Sequence, residues 1–315
     1  MLYLATLISH PDRPAVTEAL ARKAARYLPH GRPIGWLAPG VAIDIPFRID
    51  DKKRESGDGE DGALAKRLTR ELRELVGAEP VDVIIQPQLR RRKKLLIADM
   101  DSTMIAQECI DELADYAGVK TQVAAITERA MRGEIAFEPA LRERVSLLKG
   151  LSAAAIDRVI SERIRLTPGG TTLLATLRAN GAYTCLVSGG FTAFTSIIAA
   201  MLGFNEQRAN TLLLDADGRL TGTVAEPVLG REAKLKALLA LRARLRLDRE
   251  DTLALGDGAN DIPMIEAAGL GVAFRGKPAL RERAAACIDH GDLTALLYAQ
   301  GYRREELVKG TTANR

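Results

Sequence analysis

Leu95-Leu96-Ile97-Ala98-Asp99-Met100-Asp101-Ser102-Thr103 is the stretch on which the fold turns. Its leading apolar run shows no polar alternation, which suits a strand buried on both faces. Two carboxylates one residue apart at the end of such a strand are costly to place there without a partner. The partner that fits is a divalent cation, and hard oxygen donors of this kind suit Mg²⁺. A second acidic cluster, Gly256-Asp257-Gly258-Ala259-Asn260-Asp261, follows the apolar run Thr252-Leu253-Ala254-Leu255. Two strand-end acid clusters far apart in the chain point to one composite metal site.

Working outward, residues 95–99, 182–188, 252–257, 270–274 and 286–289 read as strands of a mostly parallel sheet with helices on both faces. Residues 210–228 hold two short apolar runs around Asp215-Ala216-Asp217-Gly218, which predicts a β-hairpin. Residues from about 107 to 168 have helical periodicity and no convincing strand, which predicts a helical insertion after the first strand. Upstream, residues 2–9, 34–37, 41–45 and 81–86 read as strands, and 13–27 and 63–76 as helices. The order β-α-β-β-α-β is the ferredoxin-like arrangement of an α+β domain spanning residues 1–88. Within it, residues 50–62 contain no apolar residue to bury and are expected to form a mobile loop. Arg90-Arg91-Arg92-Lys93-Lys94, in a linker spanning 89–94, is expected to be exposed, as charge runs usually are.

Composition narrows the classes. The 315 residues, 47% hydrophobic and 27% charged, can hold two domains or one with an insertion. The net charge of +4 is small against 45 basic and 41 acidic residues, and aromatics are only 4%. Both facts argue against a nucleic-acid partner. Cys109, Cys185 and Cys287 are widely spaced and form no CxxC pair, as expected of reduced thiols in a cytoplasmic protein. The N-terminal residues lack the basic start of a signal peptide. Nothing approaches the roughly 18 consecutive apolar residues of a membrane span, so no membrane partner is expected.

Open parallel sheets bind ligands beyond the carboxyl ends of their strands. Asp99, Asp101, Ser188, Asp257 and Asp261 all fall at such ends. A carboxylate can attack phosphorus and form an acyl phosphate, splitting one hard hydrolysis into two easier steps. Attack by an anion on an anionic phosphate is repelled, so a cation is needed between them. A second carboxylate can donate a proton to the leaving alcohol and later accept one from water. Asp99 and Asp101 have the spacing for these jobs, because residues two apart in extended chain point the same way. Taken alone, the pair also fits a plain turn or a helix cap.

Val187-Ser188-Gly189-Gly190-Phe191 ends a strand and opens a helix. A hydroxyl and unencumbered backbone N–H groups at a helix N-terminus make an anion cradle, although Gly-Gly also marks ordinary turns. A lysine on the helix before the second acid cluster would steady the nucleophile and offset charge on phosphate oxygens. Lys234 and Lys236 both qualify, and periodicity does not choose between them. A calcium-loop reading of residues 256–261 fails, because no acidic ligands continue at the required spacing.

As a set, these segments resemble the four motifs of the haloacid dehalogenase-like (HAD) phosphatases. With Glu108 and Arg142-Glu143-Arg144-Val145-Ser146-Leu147-Leu148-Lys149 added, the likeness extends to the phosphoserine phosphatase family over residues 95–300. The resemblance implies an α/β fold, a HAD-like Rossmannoid parallel sheet over 95–315 with a helical cap inserted at about 107–168. It implies Asp99 as nucleophile and Asp101 as general acid/base. Mg²⁺ would be held by Asp99, the main-chain carbonyl of Asp101 and Asp257, with Asp261 in support. Ser188, Gly189 and Lys234 would bind the phosphoryl group, Lys234 being favoured by its spacing to Asp257, and Asn260 would join the substrate contacts. In the cap, Glu108 would meet the ammonium of O-phosphoserine and Arg144 its carboxylate, by a two-pronged pair. Met131 and Phe137 would supply apolar walls.

The implied activity is hydrolysis of O-phospho-L-serine through an aspartyl-phosphate, the last step of serine biosynthesis. Another small phosphomonoester as substrate, or a serine-sensing protein with vestigial catalysis, are the competing readings. Without the family likeness, Glu108 fits a helix salt bridge and Phe137 a core position equally well. Residues 1–88 resemble an ACT-type regulatory domain. Such domains carry Asp-Arg-Pro-Gly after the first strand, where this chain has Asp12-Arg13-Pro14-Ala15. Loss of the glycine makes close backbone approach by an effector harder. Assembly into a homodimer is the alternative role for this domain.

Overall fold

Two sheets organise the chain in the computed structural model, which describes residues 1–30, 33–49, 60–132 and 134–310, with backbone alone at 60–63 and 131. The first unit runs β1 (Leu2–Ser9), α1 (Glu18–Tyr27), β2 (Gly35–Ala38), β3 (Ala42–Arg48), α2 (Glu60–Val76) and β4 (Val81–Pro87). Its strands lie in the order β2-β3-β1-β4. All pairings are antiparallel, which is the ferredoxin-like arrangement. Helix α1 starts later than residue 13, because the Thr17 hydroxyl accepts from the Leu20 N–H and caps it there. The segment expected to be a mobile loop lies outside the described residues as far as residue 59, and α2 begins at Glu60.

The second unit begins with β5 (Leu95–Ala98). Four helices follow: α3 (Cys109–Tyr116), α4 (Lys120–Met131), α5 (Phe137–Ser146) and α6 (Ala154–Glu162). The chain continues through α7 (Gly170–Ala179), β6 (Tyr183–Phe191), α8 (Thr192–Leu202) and β7 (Glu206–Asn210). A hairpin, β8 (Leu212–Leu214) and β9 (Leu220–Val224), precedes α9 (Arg231–Arg244). The last elements are β10 (Thr252–Gly256), α10 (Ile262–Ala267), β11 (Leu270–Phe274), α11 (Pro278–Arg283), β12 (Ala286–Ile288) and α12 (Ala295–Ala299).

The sheet is parallel, in the order β12-β11-β10-β5-β6-β7. From β5 the chain winds outward through β6 and β7, then returns to β10 on the other side and winds away again. The crevice between β5 and β10 is therefore the switch point at which such sheets bind ligands. Edge strand β7, Glu206-Gln207-Arg208-Ala209-Asn210, is too polar to be read from the sequence as part of a buried sheet. Its polarity suits an edge. Helices α3 to α6 form the insertion above the sheet, and a bridge between Ile105 and Leu166 closes its base.

Alternation along β1 explains how the units join. Tyr3, Ala5 and Leu7 face α1 and α2 together with Ile43, Ile45, Phe47 and Val83. Ile8 and Ile84, on the opposite face, belong to the same core as Leu293 and Leu296 of the second unit. Polar groups complete the joint. The Asp82 carboxylate accepts from the N–H groups of Asp289 and Gly291, each at 2.8 Å, and Gln86 donates to the Ala299 carbonyl at 2.6 Å.

The basic run is only in part the exposed linker its composition predicts: Arg90, Arg92 and Lys94 are exposed, but Arg91 and Lys93 turn inward. Arg91 donates to Asp44, Thr6 and the carbonyls of Tyr298 and Ala299. The Lys93 ammonium is buried on the carbonyls of Arg90 and Glu250. Arg92 lies 4.0 Å above the ring of Tyr302 and bonds Glu306. Alternating members thus bury into the joint, because the run lies where two units close and unpaired main-chain carbonyls need donors.

Candidate active site

Asp99 follows the last residue of β5, and its N–H still donates to the Leu255 carbonyl of the neighbouring strand at 2.9 Å. That bond holds the side chain over the crevice. Its Oδ1 accepts from the Met100 N–H at 2.8 Å, and its Oδ2 stands 2.7 Å from Lys234 Nζ. Lys234, on the buried side of α9, also donates to Asp261 Oδ1 at 2.6 Å. Lys236, two residues on, is exposed and among the described residues forms an ion pair with Glu232 alone, so Lys234 is the lysine that reaches the acid cluster. Asp261 Oδ2 accepts from the N–H groups of Asp257 and Gly258, at 3.2 and 3.1 Å. Gly256 is required there, since any Cβ at that position would overlap the Asp261 carboxylate.

Carboxylate oxygens of Asp99, Asp257 and Asp261 lie within 4.8 Å of one another. Burial, then the charge of Asp261, push the Asp99 carboxyl well above the usual range, with Lys234 opposing. Burial likewise raises Asp257, against the pull of Lys277, whose ammonium is 3.3 Å away. Burial first and Glu108 second bring Asp101 up to about 7, and its Oδ1 is buried without a hydrogen-bond partner. Burial depresses Lys234, but Asp261 and Asp99 outweigh it, so the ammonium persists. Asp99 and Asp257, whose anions burial disfavours, form with Asp261 an all-oxygen set that a hard divalent cation relieves.

Ser188 does not sit at a helix start. Strand β6 continues to Phe191 and α8 opens only at Thr192. The Ser188 Oγ instead accepts from the Gly190 N–H at 2.8 Å, making a compact turn beside Asp101. Asn210 holds that turn in place, donating to the Gly189 carbonyl at 2.9 Å while its Oδ1 takes the Leu229 N–H at 2.7 Å.

Above the crevice is a cavity of about 600 Å³. Its lower wall is Asp99, Asp101, Ser188, Gly189, Asp257 and Asn260. From the cap come Glu108, Phe137 and Arg144. Ser102 Oγ donates to Glu108 at 2.7 Å. Arg144 is steadied by the Ala140 carbonyl at 3.2 Å and Thr127 Oγ1 at 3.3 Å. Among the described residues Arg144 makes no ion pair within 4.0 Å, although Asp111 and Glu108 lie in its field, and burial lowers its pKa. The Phe137 ring covers Gly189 so closely that a Cβ there would meet Cζ at 3.2 Å. The Met131 side chain lies outside the described residues.

Four residues near the site escape the sequence reading: Lys277, Asn210, Thr127 and Asp111. Lys277 follows β11 at its carboxyl end, so the strand-end rule applied to Gly276-Lys277-Pro278 would have flagged it. Asn210 gave no signal, because its strand was not legible, and Thr127 and Asp111 look like ordinary helix-surface residues.

A family model for haloacid dehalogenase-like hydrolases matches residues 96–266. A phosphoserine phosphatase of Streptomyces coelicolor is 38% identical over 312 residues, covering 98% of this chain and 73% of the relative. One from a Polaromonas species is 47% identical over 209 residues, 65% of this chain and 88% of the relative. Among solved structures, a HAD family hydrolase of Salmonella enterica serovar Typhi superposes with a TM-score of 0.78 at 30% identity, covering 95% of this chain and 98% of that one. With sequence, sheet order and switch-point carboxylates in agreement, the chain belongs to the haloacid dehalogenase-like hydrolases and, within them, to the phosphoserine phosphatase family.

Proposed function

We propose that this chain is an Mg²⁺-dependent phosphoserine phosphatase, hydrolysing O-phospho-L-serine to L-serine and phosphate as the last step of serine biosynthesis. The observation that carries the reading is the Asp99 carboxylate, fixed by Lys234 at 2.7 Å at the floor of a cavity that Glu108 and Arg144 enter from the cap. Asp99 attacks phosphorus, the bond to the serine oxygen breaks, and Asp101 gives that oxygen its proton. Asp101, now a carboxylate, takes a proton from water. The resulting hydroxide attacks the same phosphorus, and the bond to Asp99 breaks. A carboxyl near 7 suits both directions of transfer.

Asp99, the Asp101 carbonyl and Asp257 would hold Mg²⁺, with Asp261 in support, since both Asp261 oxygens already accept from nitrogen donors. Held there, the ion would offset the charge that separates nucleophile from phosphate. Ser188, Gly189, Asn260 and Lys234 bind the phosphoryl group. Glu108 and Arg144 take the ammonium and carboxylate of the substrate, and Met131 and Phe137 close the apolar wall.

We divide the chain into residues 1–88 as an ACT-like domain, 89–94 as the joint, and 95–315 as the phosphatase with its cap at about 107–168. The outer strand β2 offers the first domain an edge for homodimer formation. Three buried free cysteines favour a cytoplasmic setting. No helix among the described residues is long and apolar enough to cross a membrane.

The test is to quench turnover of labelled phosphoserine and map the modified residue. Label on Asp99, and no turnover in Asp99→Asn, is expected. Label on another side chain, or full activity in the variant, overturns the nucleophile assignment. Equal kcat/KM for phosphoserine and a plain alkyl phosphate overturns the substrate.

A further inference from the structure

The mechanism leaves one cation at the site without a role. Lys277 Nζ lies 3.3 Å from Asp257 Oδ2, and it lines the same cavity as the acid cluster. Its setting differs from that of Lys234 in one decisive way. Lys234 is enclosed, with 3% of its side chain exposed, and is bound to both Asp99 and Asp261. Lys277 is 54% exposed, and among the described residues its ammonium has one ion-pair partner within 4.0 Å. Its backbone, in contrast, is fixed. The Lys277 N–H donates to the Asp257 carbonyl at 2.8 Å, and the residue caps α11 in an extended conformation ahead of Pro278. An anchored main chain and a long free stem describe a tethered counter-ion.

Asp257 is the member of the trio that Lys234 does not touch, so Lys277 alone neutralises it. With both lysines charged, the three carboxylates and two ammoniums sum to −1, and without Lys277 they sum to −2. We propose that Lys277 is a positioning residue that occupies the Asp257 carboxylate until a divalent cation displaces it, keeping the cluster folded without metal and setting how tightly metal binds. The inference rests on the divalent-cation reading above. A cation drawing on Asp257 must compete with the ammonium, and the exposed stem lets the ammonium move into solvent at little cost.

The experiment follows Mg²⁺ binding without turnover. Thermal unfolding is recorded against Mg²⁺ concentration for the wild-type chain, Lys277→Gln, Lys277→Arg and Asp257→Asn. Lys277→Gln is expected to melt lower than wild type without metal. Its half-saturating Mg²⁺ concentration should fall by about five-fold, the scale of a half-exposed ion pair. Lys277→Arg keeps the charge and should stay near the wild-type midpoint. An unchanged or higher midpoint in Lys277→Gln, or a five-fold fall in Lys277→Arg, overturns the inference while the cation reading stands. A wild-type chain whose melting ignores Mg²⁺, as Asp257→Asn is expected to, overturns both.

Discussion

Arg91 Nη1 stands 2.5 Å from Asp44 Oδ2 and its Nη2 stands 2.7 Å from Asp44 Oδ1, with about a tenth of each side chain exposed. This two-pronged pair links the basic run to strand β3, and the same guanidinium reaches the carbonyls that end α12. Removing the guanidinium takes the arginine counter-ion from the largely buried Asp44 carboxylate, while the Ala299 carbonyl keeps Gln86 and the Tyr298 carbonyl keeps the Gly301 N–H. Arg91→Ala is therefore expected to destabilise the chain by about 3–5 kcal/mol, the range for breaking one partner of a buried pair. Arg91→Lys should recover only part, because an ammonium cannot reproduce the fork. Urea unfolding followed by circular dichroism measures both, and a loss below about 1 kcal/mol for the alanine variant would show that the pair does not carry the docking.

Asp101 is raised to about 7 by burial and by Glu108, and one of its oxygens has no partner. As proton donor it matters in proportion to how badly the leaving oxygen needs a proton. Asp101→Asn should lower kcat on phosphoserine by about 10²–10⁴-fold. In single turnover, transfer of the phosphoryl group to Asp99 should slow far less with an aryl phosphate, whose phenolate leaves unprotonated, since the later proton transfer from water is common to both substrates. Equal losses on the two substrates would remove Asp101 from the acid role.

Arg144 has its guanidinium in the cap cavity, held by Thr127 and the Ala140 carbonyl. Arg144→Ala should reduce kcat/KM for phosphoserine by roughly 10–100-fold, as expected for one charged hydrogen-bonding partner. Hydrolysis of a plain alkyl phosphate should be little changed. Unaltered preference between the two would mean that the substrate carboxylate is bound elsewhere.

Lys93 gives a pH test remote from the catalytic carboxylates. Burial lowers its ammonium to about 8, against the pull of Asp251 and Glu250. The folded chain thus releases this proton near pH 8, whereas the unfolded chain holds it to roughly 10.4. Between those values the unfolded state binds more protons, so the contribution of Lys93 to stability rises with pH. The stability difference between wild type and Lys93→Met should shift in favour of wild type by up to about 3 kcal/mol from pH 7.5 to 10. A difference flat over that window, in urea melts at the two pH values, would contradict the burial of the charge.

Much of the site was legible because the acid clusters lie beside their own strands. Asp99, Asp101, Asp257 and Asp261 sit at or just beyond the ends of β5 and β10, where short apolar runs announce them. Ser188 lies on its strand as expected, but the strand, read as ending at 188, runs on to Phe191 before α8 opens at Thr192. Gly189 and Gly190 look like a strand terminator, yet β6 extends through them. Arg91 and Lys93 depart from the exposure expected of the basic run for a different reason. Composition registers charge, and only a neighbouring element can supply the carbonyls and carboxylates that draw a charge inward.

Local pattern alone determined the two fold classes, the insertion between the first two sheet strands, and which carboxylates belong together, since apolar periodicity and strand-end position are properties of short segments. The tertiary structure decided the pairings: Lys234 over Lys236, Lys277 against Asp257, and Arg91 against Asp44. Those choices depend on distances between residues remote in the chain. Such distances are set by which face of each strand and helix is buried, and by what lies across from it once the units have closed.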